Sequence, residues 1–388
     1  MARTPREPNR LSSPRRVAGS VDDPAELAPD FSRTLVAWFK KTARDLPWRQ
    51  TKDAYRIWVS EVMLQQTQVK TVIGYFHAFL DLFPTMKALA TAPEEKVLRS
   101  WEGLGYYSRA RNLHAAAKML VKHGHDNLPP DPVLLSTLPG MGEYTRNAVL
   151  SQAHGLALPI IEANSQRVLC RILGVQDDPA RGPVKKWLWQ SAAKLVCHSD
   201  PSAYNQALME LGALVCTPQK PGCLICPARP WCSASKTGEP ESIPLKSERP
   251  AITRVWEVCM AACSGSGTHR CWLLFRRPAT ASRWAGLWEF AHQPMSQRDT
   301  PRDALYSLIQ QLFPSDKPVE TWNAGKVQHA ITRYQVKLRV EVAQWEGKPA
   351  PQLTEHDAWA WLSPAEIATL PLSAPQRRVW EMVSAMPF

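Results

Sequence analysis

The sequence predicts two folded domains of different class, an all-α domain followed by an α+β domain. The chain has 388 residues, and single domains commonly contain about 100–200. Apolar residues recur at three- and four-residue spacing over residues 31–232, which is typical of helices. After residue 250 the period shortens, and residues 334–342 alternate strictly between apolar and polar, as strands do.

These patterns divide the chain into four segments. Residues 1–30 contain five Arg and five Pro and are expected to form a flexible tail. Residues 31–233 form the helical domain, and residues 234–250, which are polar and interrupted by prolines, form a linker. Residues 251–388 form the α+β domain, in which we expect strands at 255–260, 271–275 and 334–342 and helices at 300–312 and 364–370.

The charge of the chain indicates a polyanionic partner. Lys and Arg number 47 against 35 Asp and Glu, which gives a net charge of +12 and an isoelectric point near 9.3. Nucleic acid is the first candidate, because neutralised phosphates release counterions. No apolar stretch approaches the ~18 residues of a membrane span, and no signal peptide follows Met1. We therefore expect a soluble intracellular monomer, in the cytoplasm or nucleoid of a bacterium or in the nucleus or mitochondrion of a eukaryote.

Four cysteines lie close together in a loop at the end of the helical domain. They are Cys216, Cys223, Cys226 and Cys232, and four interspersed prolines prevent a helix there. Four thiols without histidine fit tetrahedral zinc or a [4Fe–4S] cluster, and four unligated cysteines are the remaining alternative. The spacing resembles the iron–sulfur loop of the endonuclease III superfamily of DNA glycosylases. This resemblance implies one [4Fe–4S] cluster held by the four cysteines.

A helical hairpin is predicted over residues 132–153, with a tight turn at 139–142. Gly140 and Gly142 expose backbone amides there, and together with the N-terminus of the second helix these amides suit a phosphate, although many helical hairpins contain glycine only for capping. The segment resembles the helix-hairpin-helix of the same superfamily, which implies DNA contacts at both glycines. Tyr144 lies where strand-cleaving members carry a Schiff-base lysine. Without an amine the imine route is closed, so the enzyme is expected to be monofunctional and to use water.

Glu61 is the carboxylate that a predicted helix surrounds with apolar side chains. Asp53 is expected to cap a helix that runs over residues 55–67. The helical neighbours of Glu61 at i−4, i−3 and i+3 are Ile57, Trp58 and Leu64. Desolvation by such neighbours raises the pKa of a carboxyl group and suits a general acid. An ordinary surface or salt-bridged Glu is the alternative.

Three segments of the helical domain resemble motifs of the MutY adenine DNA glycosylases, and the C-terminal domain resembles the same family more loosely. The motifs are residues 46–49, 58–69 and 103–110. In this family the residue at Glu61 protonates the adenine ring, and the residues at Gln66 and Tyr106 enter the base stack around the lesion. The resemblance also implies that Tyr144 and Asn164 line the catalytic pocket. Three further DNA or lesion contacts are expected at Trp48, Arg49 and Leu104.

Glu162 is expected to be the second catalytic carboxylate. The family carries an Asp-Gly-Asn segment whose Asp stabilises the oxocarbenium-like sugar, and this chain has Glu162-Ala163-Asn164 instead. Retaining glycosidases use Asp or Glu in this role. We expect Asn164 or Ser165 to cap the following helix, which would place Glu162 near its positive end. The added methylene still matters, since a misplacement of ~1 Å can cost about 100-fold in rate.

The C-terminal domain resembles the Nudix-like domain with which MutY enzymes inspect 8-oxoguanine, most clearly over residues 284–290. Residues 302–311 lack the paired acids that hold Mg²⁺ in a Nudix hydrolase, so we expect recognition rather than hydrolysis. The family's Phe-Ser-His loop corresponds to residues 331–333. There Thr332 and Arg333 are predicted to contact the lesion, a plain strand turn being the alternative.

Together these features predict a monofunctional DNA glycosylase of base excision repair. It would flip out and hydrolyse adenine mispaired with 8-oxoguanine or guanine in double-stranded DNA. One alternative is an endonuclease III-like or thymine/uracil mismatch glycosylase, which the Nudix-like domain disfavours. The other is a non-catalytic iron–sulfur protein that scans DNA for lesions, against which the presence of both Glu61 and Glu162 argues.

Overall fold

A computed structural model describes residues 14–17, 20, 23–245, 251–296, 299–353 and 355–386. Contacts divide the chain into two compact units. The first combines Met1–Phe76 with Met119–Glu248, and the second combines His77–Lys118 with Arg249–Phe388. The helical segment His77–Lys118 therefore packs with the C-terminal part of the chain, whereas the sequence pattern had assigned it to a helical domain of residues 31–233.

The chain is helical up to residue 245, as the apolar periodicity predicts. The helices are α1 Ala28–Thr42, α2 Ala54–Leu64, α3 Val69–Leu82, α4 Met86–Thr91, α5 Glu94–Ser100, α6 Ser108–Lys122, α7 Pro132–Ser136, α8 Glu143–His154, α9 Ala163–Leu173, α10 Gly182–Leu195, α11 Pro201–Leu214 and α12 Ser233–Thr237. Among the described residues every helix is too short or too polar to span a membrane.

Helices α1, α9, α10 and α11 pack around one hydrophobic core of the first unit. Phe31 and Leu35 of α1 are completely buried, as is Leu169 of α9. Phe31 meets Tyr204 of α11 edge-to-face, with 6.3 Å between the ring centroids. Apolar residues three to four positions apart thus place α9 and α11, which both contribute to the candidate site, on a packed base.

Ordered structure extends further than the sequence pattern indicated at both ends of the helical domain. Of the expected tail, residues 1–13, 18, 19, 21 and 22 lie outside the described residues. Arg15 pairs with Asp177 at 2.8 Å, and α1 already begins at Ala28. Of the expected linker, residues 246–250 are not described, whereas Ile243 is buried in the helical core. The segments before residue 31 and after residue 233 therefore include packed structure.

Helix α2 is shorter than the sequence predicts. Its cap is the expected one, because the Asp53 side chain accepts hydrogen bonds from the amides of Tyr55 and Arg56. The helix ends at Leu64 rather than at residue 67, and Gln66 adopts a positive φ of 56°. A left-handed residue cannot continue an α-helix, so the expected extension to 67 is wrong.

The second unit contains a mixed sheet of strands β1 Thr253–Ser264, β2 Cys271–Arg276, β3 Trp288–Glu289, β4 Ala291–Pro294, β5 Glu320–Ile331, β6 Tyr334–Trp345 and β7 Ala358–Leu362. The order is β3-β2-β1-β6-β5, with β4 on β1 and β7 on β2. Strands β1 and β6 are parallel, and the other pairs are antiparallel.

Helices cover both faces of this sheet. They are α13 Pro301–Leu312, α14 Pro364–Thr369 and α15 Ala374–Ser384. Alternate residues of β1 belong to two separate clusters, Val258 and Met260 packing with α13 and Cys259 and Ala261 packing with α15. The predicted α+β class is confirmed, together with α13, α14 and the three predicted strands. The pattern had not indicated β5, β7 or α15.

Candidate active site

One cavity of about 550 Å³ in the first unit gathers all four predicted catalytic residues. It lies among α2 and the turn that follows it, the beginnings of α8 and α9, and α11. Its walls include seven of the residues singled out from the sequence: Trp48, Arg49, Glu61, Gln66, Tyr144, Glu162 and Asn164.

Glu61 is buried at the wall of this cavity, with 3% of its surface exposed. Its Oε2 accepts a hydrogen bond from the Tyr144 hydroxyl at 2.5 Å, and its Oε1 accepts one from Nε2 of Gln152 at 2.7 Å. Burial raises the pKa of Glu61 above its usual range, although these two hydrogen bonds oppose the rise. Both donors are neutral side chains, so Glu61 is neither the surface residue nor the salt-bridged residue of the alternative reading.

Tyr144 is held against Glu61 at the start of α8. The same hydroxyl lies 3.8 Å from Sδ of Met209. Burial and the neighbouring charge of Glu61 raise the pKa of Tyr144 well above its usual value. The phenol therefore stays protonated and able to donate to Glu61 at any physiological pH.

Glu162 itself is the N-cap of α9, a position that the sequence had assigned to Asn164 or Ser165. Its Oε2 accepts the amide of Asn164 and its Oε1 accepts the amide of Ser165, both at 2.8 Å. The Ser165 hydroxyl accepts the Glu162 amide in return, which completes a capping box. The positive end of α9 thus stabilises negative charge on the Glu162 carboxylate.

A buried ion cluster forms another part of the cavity wall and was not predicted. Glu210 of α11, with 1% of its side chain exposed, accepts hydrogen bonds from Arg44 and Arg49 at distances down to 2.6 Å. Although burial opposes it, these bonds lower the pKa of Glu210 to about 2. Arg49 also donates to Gln206, so its guanidinium is engaged within the cavity wall.

Two site residues that the sequence analysis missed, Glu210 and Gln152, could have been found by sequence rules. Glu210 has Ala207, Ala213 and Leu214 at helical offsets of i−3, i+3 and i+4, which is the same apolar surrounding that identified Glu61. Gln152 follows Tyr144 by eight residues and so lies on the same face of α8. That spacing indicates a shared face but gives no indication of which carboxylate the face meets.

Other predicted DNA contacts surround the cavity or lie at the hairpin. Gln66 is exposed in the turn after α2, and Trp48 is buried edge-to-face against Phe76. Gly140 has a positive φ of 71°, which allows the backbone to reverse. Gly142 is the N-cap of α8. The hairpin has the predicted backbone, while phosphate binding there stays a prediction.

A second cavity, of about 570 Å³, lies within the second unit and brings Tyr106 and Thr332 together. Both residues have positive φ, 47° for Tyr106 and 50° for Thr332. Thr332 lies in the turn between β5 and β6, and Tyr106 is 47% exposed. Leu104 is buried nearby in the chain, and its carbonyl accepts a hydrogen bond from Arg109.

Arg333 lies next to Thr332 in the chain but is oriented differently. Its guanidinium lies 5.2 Å from the ring centroid of Tyr334 and donates to the hydroxyl of that residue. It is not among the residues that line the second cavity. Of the two predicted lesion contacts, only Thr332 therefore faces the space that Tyr106 borders.

The loop of residues 101–107, which carries Tyr106, is attached to the C-terminal part of the second unit through Glu102 and Tyr107. Arg377 of α15 donates to both carboxylate oxygens of Glu102, at 2.6 and 3.1 Å. The Tyr107 hydroxyl donates to the carbonyl of Leu372 at 3.0 Å. Tyr106 is thus held between two anchored neighbours.

Cys216, Cys223, Cys226 and Cys232 all line one small pocket, and none of them forms a disulfide. The buried Arg171 fixes the loop through its guanidinium, which donates to the carbonyls of Thr217 and Pro218 and lies 3.3 Å from Sγ of Cys216. Within the described ranges no group of His, Cys, Asp or Glu side chains has the arrangement of a single metal-ion site. The four thiols nevertheless provide the donor set that an iron–sulfur cluster requires.

Comparisons with known proteins match both units of the chain. Residues 59–194 match the model of the HhH-GPD superfamily base excision DNA repair proteins, and residues 261–382 match the NUDIX domain. The chain is 33% identical to the adenine DNA glycosylase of Homo sapiens over 414 aligned positions, covering 93% of this chain and 75% of that protein. It is 31% identical to the adenine DNA glycosylase of Arabidopsis thaliana, over 89% of this chain and 63% of that protein.

A solved structure of a thermostable thymine-DNA glycosylase is also similar, with a TM-score of 0.49 and 26% identity over 55% of this chain and 97% of that one. Because the alignment with the human protein covers 93% of this chain, the similarity extends into both units. The chain therefore belongs to the adenine DNA glycosylase family, with a helix-hairpin-helix glycosylase part followed by a Nudix domain.

Proposed function

We propose that this protein is a monofunctional DNA glycosylase that removes adenine from A:8-oxoguanine or A:G mispairs in double-stranded DNA. One observation carries the proposal. A buried carboxyl group with a raised pKa, Glu61, lines the same cavity as a second carboxylate, Glu162, that a helix N-terminus holds. Two carboxyl groups in such different environments suit acid and charge-stabilising roles in glycosidic bond cleavage.

Glu61 supplies the proton in this reaction. Adenine is a poor leaving group as an anion, and protonation of a ring nitrogen lets it depart neutral. The O–H bond of Glu61 breaks, an N–H bond forms on the purine, and the electron pair of the C1′–N bond moves into the protonated ring. The Tyr144 and Gln152 hydrogen bonds then stabilise the carboxylate that Glu61 becomes.

Glu162 stabilises the positive charge that develops on the sugar. Its carboxylate is fixed by the amides of Asn164 and Ser165, so the longer side chain is drawn back to the backbone of α9. This bidentate cap supports a functional Glu162 despite the added methylene, because it restricts the position of the charge. Water finally adds to C1′ of the sugar, and the proton that it loses restores the acid form of Glu61. Asn164 contributes to the wall of the same cavity.

Tyr144 supports the monofunctional assignment. A lyase reaction needs an amine that attacks the sugar and forms an imine. Here the position holds a phenol whose hydroxyl is engaged with Glu61. The product is therefore an abasic site, and the strand stays intact.

Discrimination of the opposite base is assigned to the second unit. Tyr106 and Thr332 border one cavity that is large enough for a base. The Thr332 hydroxyl donates to the carbonyl of Ile331 at 2.7 Å, and its oxygen can still accept a hydrogen bond from a base edge. The other DNA contacts are proposed at Trp48, Arg49, Gln66, Leu104, Gly140, Gly142 and Arg333. The net charge of +12 favours the DNA partner.

The four cysteines are proposed to hold one [4Fe–4S] cluster. When bound, such a cluster cross-links the loop, which also carries the cations Lys220 and Arg229 that suit phosphate contacts. The purified protein should be brown and contain iron and acid-labile sulfide in equal amounts. A colourless protein with stoichiometric zinc would contradict the cluster.

One assay tests the proposed function against the alternatives. Duplexes with A, T or U opposite 8-oxoguanine or guanine are incubated with the protein and then treated with alkali. Strand cleavage only after alkali, and only for A, is expected. Cleavage before alkali would indicate a lyase, cleavage at T or U would indicate another mismatch glycosylase, and binding without any cleavage would indicate a scanning protein.

A further inference from the structure

We propose that Gln152 is a positioning residue that occupies one oxygen of Glu61 and thereby restricts the catalytic proton to the other. This inference rests on the proposed function and deepens it. Nε2 of Gln152 donates to Oε1 of Glu61 at 2.7 Å, and both side chains are buried. The Tyr144 hydroxyl meets the other oxygen, Oε2, at 2.5 Å.

The two donors differ in what they can do when Glu61 is protonated. An amide NH₂ group only donates, whereas a hydroxyl can donate or accept. A proton on Oε1 would face the NH₂ group of Gln152 and break that hydrogen bond. A proton on Oε2 faces the oxygen of Tyr144, which accepts it after the hydroxyl rotates. With the Gln152 amide oriented as in the structure, the protonated acid therefore carries its proton on Oε2.

Gln152 also acts after the proton has left. When the purine nitrogen replaces the Tyr144 oxygen as acceptor and takes the Oε2 proton, the O–H bond of Glu61 breaks and its electron pair stays on the carboxylate. Gln152 keeps its hydrogen bond to Oε1 throughout, and Tyr144 rotates back to donate to Oε2. Gln152 thus stabilises the carboxylate form of Glu61, and it keeps the pKa of Glu61 below the value that burial alone would give.

The effect of Gln152 on the pKa of Glu61 can be separated from the effects of the other groups around this carboxyl group. The negative charge of Glu162, at the N-terminus of α9, raises the pKa of Glu61, as burial does. The positive charge of Arg49 lowers it, as do the hydrogen bonds from Tyr144 and Gln152, both on α8. Among the donors that contact the Glu61 carboxyl group, Gln152 can be replaced without removing a hydroxyl from the cavity.

The experiment is the pH dependence of single-turnover adenine excision for wild type and Gln152→Met. The Met side chain has a similar length but no donor, so the pKa of Glu61 rises. Because Glu61 must be protonated to act, the alkaline limb of the profile is expected to move to higher pH by about one unit. Gln190→Met, at an exposed position on α10, is the matched control and should leave the limb unchanged.

A second variant keeps the test decisive if the Met protein does not fold. Gln152→Leu also removes the donor but adds no titratable group, so it should likewise move the alkaline limb to higher pH. An unchanged limb or a shift to lower pH, with active wild-type protein, overturns this inference alone. Wild-type protein that does not excise adenine overturns the proposed function, and this inference with it.

Discussion

Glu162 and Ser165 cap helix α9 reciprocally. The Glu162 carboxylate accepts the Ser165 amide at 2.8 Å, and the Ser165 hydroxyl accepts the Glu162 amide at 2.8 Å. The capping box places a carboxylate at the cavity wall in a fixed position on a rigid element, and this position does not depend on the reach of a free side chain. Glu162 therefore combines a structural role with the proposed catalytic one, and its variants can separate the two roles.

The first prediction concerns charge at this cap. Glu162→Gln keeps an oxygen for the helix amides but removes the negative charge, so the single-turnover rate of adenine excision should fall about 100-fold or more. Glu162→Asp keeps the charge and provides a preferred N-cap, so it should retain more activity than the Gln variant. Equal rates for wild type and Glu162→Gln would contradict the catalytic role.

The second prediction concerns the cost of burying Glu61. Burial raises the pKa of Glu61, so above pH 4.5, its ordinary pKa, the folded state disfavours the carboxylate form. The resulting loss of folding stability grows as the pH rises toward the folded pKa. Glu61→Gln removes the penalty and should melt at a higher temperature than wild type at pH 8, with a smaller difference at pH 5. A difference that does not depend on pH would contradict the burial of a titrating group.

The third prediction concerns recognition of the opposite base. Thr332→Val removes the hydroxyl of a residue that lines the second cavity and should reduce the binding preference for 8-oxoguanine over guanine about 10-fold. Thr369→Val is the matched control, because Thr369 is an exposed residue of α14 that does not line this cavity and its hydroxyl also donates to a backbone carbonyl. Unchanged discrimination in the Thr332 variant, measured by binding titration, would refute the assignment.

The fourth prediction concerns the ion cluster at Glu210. Its pKa is lowered to about 2 from an ordinary 4.5, so the stability it contributes is fully present above pH 4.5 and lost as pH falls toward 2. Glu210→Gln leaves Arg44 and Arg49 without a countercharge and should destabilise the first unit by about 3 kcal/mol. Asp30→Asn, which breaks the exposed pair with Arg33, is the control and should cost less than about 0.5 kcal/mol. The free energy of unfolding of each variant is measured by urea titration.

Local patterns in the sequence predicted the environment of Glu61 but not its partners. Apolar neighbours within one helix determine whether a carboxyl group is desolvated, so its burial could be inferred from Ile57, Trp58 and Leu64. Gln152 lies 91 residues further along the chain. Its contact with Glu61 depends on the packing of α2 against α8, for which helix periodicity gives no register.

The same limit explains the differences in the fold. The sequence predicted helix α2 but not its end, because the positive φ of Gln66 occurs in a residue without the conformational freedom of glycine. Segment His77–Lys118 has ordinary helical periodicity, and only tertiary contacts such as Glu102 with Arg377 assign it to the second unit. Residue types predict local structure well, whereas contacts between distant segments require the folded chain.

The most direct test of the account is single-turnover excision of adenine opposite 8-oxoguanine by wild type and Glu61→Gln, with duplex affinity measured in parallel. The proton donor is expected to contribute about 10²- to 10⁴-fold, so the variant should lose at least 100-fold in rate while binding the duplex as tightly as wild type. A Glu61→Gln protein that excises adenine at the wild-type rate would contradict the assignment of Glu61 as the general acid.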